Sequence, residues 1–275
     1  MPQPLTVIPV SAPVQDGPFD LVATLRASLR SATISLQDGD VLAISSKYAA
    51  IAAGRVINLA NVAPSPQARC LAARYQMDPA ITELVLAEAD QIFGGIELGF
   101  LLTSKGGVVS PNAGLDRSNI PSGQAVLLPE APFQLAESIR GALQGSLGSR
   151  IGVILTDSWL MPGRYGTTGV AIAIAGFEPI KDERGKRDLF GNAMSVTQIG
   201  VADSLAVCAQ VVMGERDEAT PFALVRGADI DLTDAPLSAE TVSIPWRHCI
   251  YIESLTVGLL PAAEPSRQDR YEAAK

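Results

Sequence analysis

Three acidic positions separated by long stretches of chain stand out by their surroundings. Asp116 sits in the small-residue run Asn112-Ala113-Gly114-Leu115-Asp116-Arg117-Ser118-Asn119. Asp157 follows the apolar run Ile151–Leu155 and precedes Ser158. Glu215 closes Met213-Gly214-Glu215, just past a helical stretch. Two carboxylates, a third from a helix end and a hydroxyl make an oxygen-only set of the kind Mg²⁺ or Mn²⁺ takes. Each also has a plain structural reading. Asn, Gly, Asp and Ser dominate turns, so the first run can be a turn and nothing more. A carboxylate after a buried strand is as often a helix N-cap as a metal or phosphate ligand. Glutamate at a helix C-terminus opposes the macrodipole, which points away from a purely local role. Arg226, closing the apolar run Ala223–Arg226, reads equally as an ion-pair anchor or an anion clamp.

Composition narrows the chemistry these residues can serve. Lys and Arg total 21 against 29 Asp and Glu, a net charge of −8, and no basic block occurs. A duplex nucleic-acid partner is not expected, because phosphate neutralisation needs a cationic face. A nucleotide would need a divalent cation to meet so acidic a protein. The single His248 cannot build a zinc site, and Cys70, Cys208 and Cys249 form no CxxC pair. That usage fits a reduced, cytoplasmic protein. The N-terminus lacks a basic start followed by a long apolar run, and the longest apolar run, Val170–Phe177, is far below a membrane span of about 20 residues. Neither secretion nor membrane insertion is expected. No GxSxG elbow accompanies the lone histidine, which argues against a serine hydrolase.

These positions need elements to bring them together. Hydrophobic residues at 47% and charged residues at 18% suffice for a sizeable core. Strands are expected at 5–10, Val41–Ser45, Ala125–Leu128, Ile151–Leu155, Val170–Phe177 and Ala223–Arg226, with strand-like segments from Gln91 to Leu102 around Gly94-Gly95. Helices are expected at Asp20–Leu29, over Ser65–Ala89 as two pieces broken near Asp78-Pro79, at Pro132–Leu147 and at Val196–Met213. Ser243–Leu260 reads as extended, and Pro261 onward as a polar tail. The irregular alternation gives an α/β or α+β class with a mixed sheet. One domain is expected over residues 1–260, as a single body or two interlocked lobes, followed by the tail at 261–275. Trp159 reads as buried packing and Cys208 as core.

Taken in order, several blocks resemble the coenzyme F420-0:L-glutamate ligase family. They are Gly39-Asp40-Val41 through Ser46-Lys47 to Gly54-Arg55, the Asn112–Asn119 run, Thr156-Asp157-Ser158, Val170-Ala171-Ile172 with Gly176, Asp188-Leu189-Phe190-Gly191, Thr197, Ala202-Asp203, Met213-Gly214-Glu215, Pro221 and Val225-Arg226-Gly227. The resemblance covers roughly residues 5 to 230. It implies a gamma-glutamyl-ligase-like fold, an intertwined homodimer with the site near the subunit junction, and GTP-dependent addition of L-glutamate to a phosphorylated deazaflavin carboxylate. It further implies that Asp116, Asp157, Ser158 and Glu215 hold two Mg²⁺ or Mn²⁺ ions. Asn119, Ala12, Pro13, Val14, Gln15, Ser46, Met213, Gly214 and Arg226 would lie at the nucleotide, with Lys47 and Arg164 acting on the phosphates.

The chain also departs from the family pattern. Ile51 stands where the family has a nucleotide-contacting lysine, and Ala53 where it has a glutamate. Leu160-Met161-Pro162-Gly163-Arg164 keeps only the second of two arginines, and Gly191-Asn192 replaces Gly-Arg. The metal carboxylates are kept while several cations are not. The implied alternatives are a ligase for another carboxylate or amino acid, or a paralogue that binds metal or a phosphorylated metabolite without ligation. Another lysine or arginine, such as Lys47 or Arg164, reaching the phosphate position would favour catalysis, and an apolar pocket there would favour binding alone.

Overall fold

The structure, a computed structural model, describes residues 4–256, with the backbone alone at 146, 147 and 246. In chain order the first elements are β1 (Thr6–Val10), α1 (Leu21–Ser31), β2 (Val41–Ser45), α2 (Ser46–Ala52), β3 (Val56–Asn58), α3 (Pro66–Tyr75) and α4 (Pro79–Glu88). There follow β4 (Gln91–Ile96), β5 (Phe100–Lys105), β6 (Val108–Pro111), β7 (Gln124–Val126), α5 (Pro132–Leu147), β8 (Gly152–Leu160) and β9 (Thr167–Ala175). The series closes with β10 (Ile180–Asp182), β11 (Gln198–Gly200), α6 (Val201–Met213), β12 (Phe222–Arg226), α7 (Ala239–Val242) and α8 (Ile250–Thr256). The residues group into two compact units that divide between Ser243 and Ile244.

The first unit is built on a five-stranded sheet in the order β1-β12-β2-β8-β9. Only the β2–β8 pair is parallel; the other neighbours run antiparallel. The mixed α/β class is therefore observed. Alternation along the strands splits the side chains between two cores. Leu42, Ile44, Phe222, Leu224, Val153 and Leu155 face a layer containing α1 and α5. Val41, Ala43, Ala223, Val225 and Ile154 face Ala202, Leu205, Ala206 and Ala209 of α6. Alanines on α6 let it lie close, and Gly169 on β9 takes this furthest: a Cβ there would sit 2.4 Å from the Ala206 carbonyl oxygen. Trp159 is buried in the core and Cys208 is half-buried on α6.

A small three-stranded sheet, β4-β5-β6, and the two-stranded β3–β7 pair carry the segment that leads to Asp116. Helices α3 and α4 break where the sequence indicates: Gln76 turns left-handed, and Asp78 caps α4 by accepting from the Ala80 and Ile81 N–H groups. Two expected boundaries are corrected. Residues 196–199 do not begin α6; Gln198–Gly200 pairs with Ile180–Asp182 as the base of a hairpin, and the helix starts at Val201. β-Branched Val196, Thr197 and Ile199 favour that pairing, and Gly200 ends it. Ser243–Leu260 is not extended across its described part. In the second unit a 3₁₀ turn spans Trp246–His248 and α8 spans Ile250–Thr256, with Ile252 buried. Residues 257–260 and the tail expected from Pro261 lie outside the described residues. Among the described residues no helix is long and apolar enough to cross a membrane.

Candidate functional site

One edge of the central sheet collects the chemistry. β2 and β8 run parallel, and their pairing ends where Ser45 lies opposite Thr156. Beyond that point stand Ser46 and Lys47, where β2 gives way to α2, and Asp157 and Ser158, which do not follow the strand as expected but lie within β8 as it continues beside β9. β1 runs antiparallel to β12, and Val10 is opposite Phe222, so the segment after β1 and the loop before β12 meet at that edge as well. The Ala12 N–H donates to the Ala219 carbonyl at 3.0 Å, joining the two. The carboxyl ends of adjacent parallel strands are where open α/β sheets bind ligands.

A cavity of about 480 Å³ opens there. Ala12, Pro13, Val14, Gln15, Lys47, Asp116, Asn119, Asp157, Ser158, Met213, Gly214 and Glu215 all line it. Ser46 stands behind the wall and donates its hydroxyl to Asp157 Oδ2 at 2.7 Å. Two expected residues lie elsewhere. Arg164 is in the exposed turn between β8 and β9, outside the lining. Arg226 is at the opposite edge of the sheet, the length of β2 away, about 13–15 Å at roughly 3.3 Å per residue. Its guanidinium grips the buried Asp40 carboxylate at 2.6 and 2.8 Å and the Ser35 carbonyl at 2.8 Å. Of its two readings, the geometry is that of the ion-pair anchor.

Asp116 reaches the cavity because its run is pinned, not merely turned. The Asn112 side chain accepts from the Leu101 N–H at 2.8 Å, and the Ala113 N–H donates to Thr103 Oγ1 at 2.8 Å. Asp116 exchanges both backbone hydrogen bonds with Val126, at 3.0 and 2.9 Å. Gly114 has φ +72°, and a Cβ on it would meet Leu128 at 2.6 Å, so only glycine fits. Asn119 takes a left-handed conformation, and its amide donates to the Glu215 carbonyl at 3.4 Å.

The acids differ in their electrostatics. Lys47 Nζ lies 2.6 Å from Asp116 Oδ2. Burial pushes Asp116 upward, but the Lys47 ammonium and the Ser118 donors outweigh it and hold the carboxyl below the usual range. Asp157 goes the other way, to about 6. Burial is the main cause, resisted by the Ser46 hydroxyl and the Ser158 N–H, with Asp116 raising it further and Lys47 lowering it. Glu215 accepts from the Ser158 hydroxyl at 3.1 Å and from the Gln210 amide. Among the described residues no three His, Cys, Asp or Glu side chains are gathered closely enough to hold one ion between them. The acids line one cavity without converging on a point; the Ser158 hydroxyl donates to Glu215, and the charge of Asp116 is felt at Asp157. All their ligating atoms are oxygens, so the donor set fits a hard divalent cation.

Several lining residues carry no signal in the sequence read alone. Tyr48 donates its hydroxyl to the Pro13 carbonyl at 2.7 Å and packs its ring on Phe19 and Phe222, fixing the segment after β1. Burial raises its phenol, with a hydrogen bond to Gln15 opposing. Arg216, Asp217 and Glu218 extend the loop beyond Glu215. Their position directly after the Met-Gly-Glu block was the available clue. Of the departures noted in the sequence, only Ile51 lines the cavity; it packs on Ala50 and Val126, and Lys47 is the lysine that lines the cavity with it. Met161 and Asn192 are exposed and outside the lining.

Comparison with known proteins identifies the family. The family model described as F420-0:Gamma-glutamyl ligase matches residues 10–227. A coenzyme F420:L-glutamate ligase of Methanopyrus kandleri is 38% identical over 221 residues, 78% of this chain and 86% of its own length. That of Methanothermobacter thermautotrophicus is 37% identical over 211 residues, 76% and 82% of the two chains. One from Halobacterium salinarum is 38% identical over 207 residues, 73% and 79%. With the match spanning every segment that meets at the cavity, the chain belongs to the F420-0:gamma-glutamyl ligase family.

Proposed function

We propose that this protein is an enzyme that joins L-glutamate to coenzyme F420-0, using GTP and Mg²⁺ or Mn²⁺. The observation that carries the reading is the meeting of Asp116, Asp157, Ser158, Glu215 and Lys47 in one cavity at the sheet edge. Five carboxylates and two cations, Lys47 and Arg216, line it. A polyphosphate entering so acidic a wall needs divalent cations between. Asp116, Asp157, Glu215 and the Ser158 hydroxyl would hold them, and bound there they would offset the charge on the phosphate oxygens.

The chain's own groups bind and orient. Asn119, the segment Ala12–Gln15 and the loop Met213–Pro221 would enclose the nucleotide, with Tyr48 and the Ala12–Ala219 hydrogen bond holding two of those segments in place. Ser46 and the Ser158 N–H orient the Asp157 carboxylate. The acceptor carboxylate attacks the γ-phosphorus and GDP leaves, giving an acyl phosphate. The glutamate amine then attacks the acyl carbon, loses a proton, and phosphate departs from the new amide. No enzyme nucleophile is needed; positioning and charge neutralisation supply the rate.

Two further features complete the reading. The β10–β11 arm exposes Leu189, Phe190 and Val196 almost completely, an apolar tip that supports a homodimer. Three unpaired cysteines support a cytoplasmic setting. The test is mass spectrometry of the acceptor after incubation with GTP, Mn²⁺ and glutamate. A product heavier by one glutamyl unit is expected, and an unchanged acceptor mass with folded protein would refute the reading.

A further inference from the structure

Lys47 and Asp116 are each committed to the other. The Lys47 ammonium has three donors, and three acceptors surround it: Asp116 Oδ2 at 2.6 Å, Ser118 Oγ at 2.7 Å and the Ser118 carbonyl at 3.1 Å. Asp116 in turn accepts from the Ser118 N–H at 2.7 Å and hydroxyl at 3.1 Å. While this contact stands, the carboxylate cannot give its full charge to a divalent cation, and the ammonium has no donor left for a phosphate. The contact is not sealed in: the two side chains are 21% and 34% exposed. Lys47 also shares its cavity with Asp157, whose ionisation it favours.

We infer that Lys47 is a built-in competitor for the cation, holding Asp116 in the free protein and releasing it to a divalent ion as its ammonium turns to a nucleotide phosphate. This makes Lys47 a positioning residue for the cation and rests on the reading that the cavity takes a nucleotide with divalent cations. Without nucleotide, the ion must displace an ammonium whose three donors are all satisfied at Asp116 and Ser118. With nucleotide, the displaced ammonium finds a phosphate oxygen. Cation and nucleotide therefore help each other bind, and by linkage the help is mutual.

The experiment measures Mn²⁺ binding to the full chain by titration calorimetry without nucleotide, and GDP binding at saturating Mn²⁺. Lys47→Met keeps the apolar stem and removes the charge. It should tighten Mn²⁺ binding about threefold or more, the scale of a partly exposed ion pair, while weakening GDP binding by a similar factor. Lys47→Gln should do the same, and Lys47→Arg should leave Mn²⁺ affinity within about twofold of the parent. In the Asp116→Asn background, Lys47→Met should bring no gain. A lysine that only supports the fold would lose both affinities together. Unchanged or weaker Mn²⁺ binding in the folded Met and Gln variants overturns the inference while leaving the nucleotide reading intact. Absence of both Mn²⁺ and GDP binding in the parent protein overturns both.

Discussion

Asp157→Asn should make the cation-free protein more stable at neutral pH, although it removes a negative charge from the cavity. The carboxyl of Asp157 is raised from 3.8 to about 6 by burial. As pH rises past 4, the unfolded chain releases this proton while the folded chain keeps it until about pH 6. The folded state then holds more protons, so stability falls across that window and levels off above it. A shift of about two units at roughly 1.4 kcal/mol each gives an upper bound of about 3 kcal/mol at pH 7.5. Asparagine cannot ionise, and its amide can still meet the Ser46 hydroxyl and the Ser158 N–H. The assay is thermal unfolding in EDTA at pH 3.5 and pH 7.5. The variant should match the parent at the lower pH and exceed it by up to about 5 °C at the higher. Equal shifts at both pH values, or a less stable variant at pH 7.5, would refute the argument that burial of this charge is uncompensated.

Other perturbations test the scaffold around the cavity. Arg226→Met strands the buried Asp40 carboxylate and should cost roughly 3 kcal/mol in denaturant unfolding; an effect near zero would count against the anchor role. Gly169→Ala drives a methyl into the Ala206 carbonyl and should destabilise the protein by about 1–3 kcal/mol by the same assay. Tyr48→Phe loses the bond to the Pro13 carbonyl; a loss of about 1 kcal/mol and weaker GDP binding by calorimetry are expected.

Much of this architecture is legible in the sequence because it is local. Strand periodicity, the break near Asp78-Pro79 and the apolar stripe of α6 depend on neighbours a few residues away. What is not legible depends on distant pairing. Arg226 reads equally as anchor or clamp until Asp40, at the start of β2, is seen beside it. The Asn112–Asn119 run looks like an ordinary turn until Leu101, Thr103 and Val126 are found holding it. Residues 198–200 carry helix-compatible apolar spacing, but their pairing with 180–182 claims them for a strand. Residues 250–256 have enough β-branching to suggest extension, yet form a short helix with Ile252 turned inward. The lysine on Asp116 is of the same kind: each partner is recognisable alone, while their contact is a property of the fold.

The central claim is that Asp116, Asp157 and Glu215 work together around divalent cations at the sheet edge. Anomalous diffraction from crystals soaked with Mn²⁺ and GDP tests it most directly. The account predicts manganese peaks within coordination distance of all three carboxylates, with Ser158 beside them and the Lys47 ammonium moved off Asp116. Manganese bound elsewhere, or peaks that leave any of the three acids without a cation, would contradict it.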